Sequence, residues 1–197
     1  MKNAGFVAII LVLIFSGGCK PSRNKSMTGI QNLESKLYSP SATTFNKEDA
    51  NRLLSLYDNF IKEFPKDTLV PVYLFKAANL EMNGMNANGA IARFDELIRN
   101  YPSDPKAPAS MFFKGYIYEN NLKDLEKAKE AYLLFIETYP SHELVKDAKM
   151  SIKNLGKTPE QMIKEFEMMQ KQDSIRKADS LADLAKGKKK QKRKGSN

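Results

Sequence analysis

The chain has no tryptophan, one histidine and one cysteine among its 197 residues. A lone cysteine, Cys19, excludes an intramolecular disulfide, so any folded domain here is held by packing alone. With His142 the sole histidine and no cysteine after Cys19, the chain lacks the side chains for a His-based triad or a His/Cys metal centre. His142 follows Pro140 in a helix-start segment and reads as a surface residue, not a base. No glycine-rich loop of the phosphate-cradling kind occurs. Glu126, Glu130 and Glu137 recur at the spacing of a solvated helix face. The expectation is therefore no catalytic residue, no metal and no cofactor. The apolar run Ala4 to Phe15 is shorter than the ~20 residues that span a bilayer comfortably.

What is present is one helical stripe written three times. Leu53, Tyr57, Phe60, Ile61, Phe64 and Pro65 form the first copy. Ala90, Phe94, Leu97, Ile98, Tyr101 and Pro102 form the second, and Ala128, Tyr132, Phe135, Ile136, Tyr139 and Pro140 the third. Each copy has the offsets 0, +4, +7, +8 and +11, with proline at +12. Those offsets place the apolar residues on one face of an α-helix. The proline ends it, lacking an N–H and disfavouring helical dihedrals in the residue before it. The copies recur every 37 or 38 residues, which predicts stacked helix pairs, none able to bury its apolar face alone.

Ala90, Phe94, Leu97, Pro102 and Ala128, Tyr132, Phe135, Pro140 resemble the second helix of a tetratricopeptide repeat (TPR). Gly115 and Tyr118 resemble the Gly and Tyr of that family's first helix, while Leu53 stands where alanine is usual. The family period is about 34 residues. The longer connection after the proline here is similar to repeats of periplasmic TPR proteins of the BamD and YbgF (CpoB) types. The resemblance implies an all-α, TPR-like helical solenoid of about three helix pairs plus a C-terminal capping helix. It also implies a non-enzymatic scaffold for protein–protein interaction.

Residues 1–18 read as a signal peptide: Lys2, the apolar run, then Ser16-Gly17-Gly18-Cys19. The ending resembles a bacterial lipobox, which would make Cys19 the acylated, palmitate-bearing N-terminus. Ser16 departs from the usual leucine, and an ordinary secretory signal or a retained membrane anchor is the alternative. Two or more acyl chains would anchor stably. Lys20, not Asp, follows Cys19, which by resemblance to lipoprotein sorting favours the outer membrane, facing the periplasm.

Residues 19–27 read as a tether and 28–172 as the helical domain, opened by a Thr28/Gln31 capping box. Asn46, Ser141 and Thr158 are expected to cap later helices, and Gly156 suits a C-terminal turn. Met162, Phe166 and Met169 share a face suited to covering the last open repeat. Residues 173–185 read as a helical extension and 186–197 as a disordered basic tail. That tail carries seven of the positive charges, leaving +2 for everything before it in a chain of net charge +9. A nucleic-acid partner would rest on this run alone and is not expected; anionic envelope polymers are the contact expected of such a tail.

In register from each proline, the tenth residue is Phe75, Phe112 and Met150, and the fourteenth is Asn79, Tyr116 and Asn154. The resemblance places these on the first helices, which line the concave face, and so makes them candidate contacts for an envelope protein or peptide. The competing reading puts Phe75 and Phe112 in the core of the helix pairs. An accessory lipoprotein whose basic tail touches anionic polymers is the alternative function.

Overall fold

The computed structural model describes residues 22–39, 46–84 and 86–194, the stretch 182–194 by its helical backbone. Cys19 and the expected signal peptide lie outside the described residues. Among the described residues there are eight helices and no strand. They are α1 (Arg23–Leu37), α2 (Lys47–Glu63), α3 (Val70–Met82), α4 (Ala87–Asn100), α5 (Ala107–Asn120), α6 (Leu125–Thr138), α7 (Val145–Asn154) and α8 (Pro159–Lys194). The chain divides into two compact units, residues 1–80 and 81–197.

In the first unit, α2 shows how the repeated stripe folds. Asn46 caps it, its Oδ1 accepting from the N–H groups of Glu48 and Asp49 at 3.0 and 3.1 Å. Leu53, Tyr57 and Phe60 are buried on one face, as their spacing predicts. Tyr73 of α3 stacks on Tyr57 at 5.3 Å and meets Phe60 edge-on at 4.7 Å. Glu34 of α1 accepts from the Tyr57 hydroxyl at 2.6 Å and from Lys76 Nζ at 2.8 Å, so one carboxylate ties three helices. The buried carboxylate of Asp49 is met by Lys36 at 2.7 Å.

In the second unit, α4 buries Ala90, Phe94 and Leu97, and α6 buries Ala128, Tyr132 and Phe135. The two faces are the second and third copies of the stripe. A Cβ on Gly115 of α5 would lie 2.6 Å from the Tyr132 ring, so only glycine admits this approach of α5 to α6. The Tyr132 hydroxyl donates to Glu119 at 2.8 Å, which satisfies the one polar atom of an otherwise buried ring. Glu81, nearly buried at the end of α3, accepts from Arg93 of α4 at 2.7 Å.

Several boundaries differ from the sequence expectation. The helix expected to open at Thr28 begins at Arg23, capped by Ser22, so most of the expected tether is helical. Arg23 pairs with Asp67, which fixes the first turn, and Thr28 instead donates to the Asn24 carbonyl at 3.0 Å. Asn86 caps α4, its side chain accepting from the Gly89 N–H at 3.0 Å. Ser141 caps nothing; α7 starts at Val145 because His142 Nδ1 takes the Leu144 N–H at 3.2 Å and holds the chain in a turn. The Thr158/Gln161 capping box forms as expected, each side chain accepting from the other's backbone N–H. Gly156 adopts a left-handed φ of 76° just before it.

The largest difference is α8. It is one helix to Lys194, with no break between a helical extension and a disordered basic tail. The physical reason lies in composition: Lys, Gln, Arg, Ala and Leu are strong helix formers, and Gly187 is the one glycine between Pro159 and Lys194. Nor does α8 seal the last repeat. Met162, Phe166 and Met169 remain 37–57% exposed.

Candidate partner-binding surface

The six register positions do not behave alike. Phe75 and Asn79, in the first unit, are half-buried on α3. The Asn79 Nδ2 donates to the Phe75 carbonyl at 2.8 Å, one turn back along the same helix, which occupies one of its donors. Phe112 is only 8% exposed and belongs to the core: its ring lies 5.5 Å from Tyr132 and 5.8 Å from Phe135. Its assignment as a partner contact is corrected, because the buried aromatics of α6 already cover it. One turn on, Tyr116 is 42% exposed, while its neighbours Met111, Gly115 and Ile117 are buried. Met150 on α7 is 54% exposed. Asn154 is half-buried, and its carbonyl accepts from the Lys157 N–H at 2.9 Å, closing the turn into α8.

Met150 and Asn154 come together with residues that the register did not single out. They line an open groove of about 400 Å³ between α7 and α8, floored by Met162, Phe166 and Met169. Its α7 rim is Lys146, Lys149 and Lys153. The sequence carried a signal for it, since Met162, Phe166 and Met169 share one helical face. Whether α7 would cover that face is a tertiary matter.

The tyrosines whose ionisation burial suppresses are core residues. Burial is the first cause at both Tyr57 and Tyr132, and the acidic hydrogen-bond partners Glu34 and Glu119 push in the same direction. Arg23 holds the Asp67 carboxyl below its usual range through their hydrogen bond. These groups do structural work, joining helices within a unit. Among the described residues no group of three His, Cys, Asp or Glu side chains is arranged to hold a metal ion. No described helix is long and apolar enough to cross a membrane. His142, half-buried, sets its ring edge-on to Phe135 at 5.6 Å.

Residues 73–104 and 110–142 each match the tetratricopeptide repeat family model. The first match spans α3–α4 and the second α5–α6, the segments carrying the second and third stripes. No curated protein matches the chain. The helices, their period and this match make the fold an all-α helical solenoid with tetratricopeptide-type repeats, modules that commonly mediate protein–protein interaction.

Proposed function

We propose that this helical solenoid is a non-enzymatic scaffold of the bacterial cell envelope. Lipid on Cys19 holds it at the membrane, in the outer membrane facing the periplasm. It binds a protein partner through exposed side chains of its first helices. The observation that carries the reading is Tyr116: a large aromatic left 42% exposed in a helix whose adjacent apolar residues are buried. Tyrosine supplies much contact area at little entropic cost and is enriched among binding hot spots. Support for the envelope comes from the sequence, where the apolar run ends in Ser16-Gly17-Gly18-Cys19 and Lys20. Outer-membrane protein assembly and the coordination of wall synthesis with Tol–Pal are the kinds of process such a scaffold serves.

The test places a photo-crosslinking amino acid at Tyr116 and, as a control, at exposed Lys129 of α6, in cells. A discrete crosslinked product from position 116 and none from 129 is expected. The Tyr116→Ala protein should stay within about 1 kcal/mol of wild-type stability yet lose that product when the crosslinker sits at Met150. Equal yields from 116 and 129 would refute the surface. Labelled palmitate should enter the wild-type chain and not Cys19→Ser; an unlabelled wild type would refute the anchor.

A second reading is favoured by one observation, the continuation of α8 to Lys194. A helical backbone through the basic segment suits an accessory lipoprotein whose cationic end contacts anionic envelope polymers. Deleting residues 186–197 separates the two readings: the scaffold keeps its partner, and the tether loses its polymer.

A further inference from the structure

We infer that the α7–α8 groove is a docking site for an acidic amphipathic helix of a partner protein, an inference that rests on the scaffold reading above. The floor is apolar and open. Met150, Met162, Phe166 and Met169 are 54, 37, 57 and 47% exposed, although all four face a common groove. Side chains so placed are left to water by the rest of the described chain, and covering them is favourable in proportion to the area removed. Three of the four are methionines. Their flexible, polarisable thioethers adapt to the side chains of an incoming helix, and such surfaces suit helix-in-groove recognition.

Charge selects the occupant. Lys146, Lys149 and Lys153 stand at i, i+3 and i+7 on α7, so they share one face along the groove. Among the described residues none of the three is in an ion pair. The carboxylate lining the opposite wall, Glu165, is already met by Lys157 at 2.7 Å. The groove therefore offers three uncompensated cations beside an apolar floor. A helix with an apolar stripe flanked by Asp or Glu satisfies both. The chain's own basic end, Lys186 to Lys194, has the wrong sign for this rim.

The test uses the full-length chain in zwitterionic nanodiscs and a fluorescein-labelled amphipathic peptide of about 18 residues, long enough to form helix. Its stripe is leucine and its flanks are glutamate. A matched peptide carries lysine at every glutamate position. By anisotropy the acidic peptide should bind at least about tenfold tighter than the lysine peptide, a gap that narrows with added salt. A K149E/K153E variant, changed only at exposed positions, should lose about tenfold or more for the acidic peptide and reverse the preference. Phe166→Ala should weaken the acidic peptide with little change in the preference. Circular dichroism and thermal unfolding check that each variant stays folded.

Equal affinity for the two peptides, or indifference to the charge reversal, overturns the proposal. So does a wild-type dimer, seen by sedimentation, that K149E/K153E dissociates, because a second copy would then be the occupant. If Tyr116 crosslinks a partner while the charge reversal alters nothing, the groove assignment fails and the scaffold reading survives. If the acidic peptide binds with the expected preference while Tyr116 crosslinks nothing, the scaffold surface fails and the groove survives.

Discussion

A single hydrogen atom decides the approach of α5 to α6. A methyl group on Gly115 would meet Tyr132 at 2.6 Å, and Tyr132 is fully buried, with its hydroxyl held by Glu119. Alanine would favour the helix by about 1 kcal/mol, but overpacking costs about 1–3 kcal/mol, and a pinned ring puts this site at the upper end. Gly115→Ala is therefore expected to destabilise by about 1–2 kcal/mol in urea unfolding. A stabilised variant would mean that the ring can move. Removing the ring is the converse experiment. Tyr132→Ala should cost about 3–5 kcal/mol, while Tyr132→Phe, which keeps the packing and loses one hydrogen bond, should cost about 1 kcal/mol. Lys129→Ala, on the exposed face of α6, is the neutral comparison.

At the scale of the element, the helix starts divide by what fixes them. Asn46 and Thr158 act as caps where the sequence pattern places them, because an N-cap needs only its own side chain and the next three backbone groups. Asn46→Ala should therefore cost about 1 kcal/mol, read as a lowered unfolding midpoint. Its effect should be smaller on Asn46→Ser, which still accepts from the first turn. Ser22 and Ser141 show the limit of local reasoning. Ser22 wins over Thr28 because the Arg23–Asp67 pair anchors an earlier turn from 44 residues away. Ser141 loses to a turn in which His142 takes the Leu144 N–H.

At the scale of the whole molecule, both units carry a buried tyrosine with its hydroxyl on a carboxylate. Tyr57 does so in the first unit and Tyr132 in the second. In each, burial raises the pKa above the ordinary value near 10. The folded state then holds a proton that the unfolded chain releases. The associated stability is fully present below pH ~10 and is lost as pH rises above it. The slope is about 1.4 kcal/mol per pH unit for each tyrosine. Urea midpoints measured from pH 8 to 11.5 should be flat at first and then fall, and Tyr57→Phe with Tyr132→Phe should flatten the alkaline limb. A limb that is unchanged in the double variant would assign it to other groups.

The sequence by itself determined the helices, their period and the buried stripe. Those depend on spacing along one chain: an apolar residue at each of 0, +4 and +7, and a proline that stops the turn. Leu53, Tyr57, Phe60 and their counterparts in α4 and α6 accordingly lie in the core. Only the tertiary structure decided depth on the remaining faces. Phe112 and Tyr116 sit four residues apart and share a face, yet one is buried and the other open, because the aromatics of α6 reach the first. It likewise decided that α8 leaves Met162, Phe166 and Met169 uncovered beside three lysines of α7. Periodicity fixes the direction in which a side chain points, whereas burial depends on what another helix brings to meet it.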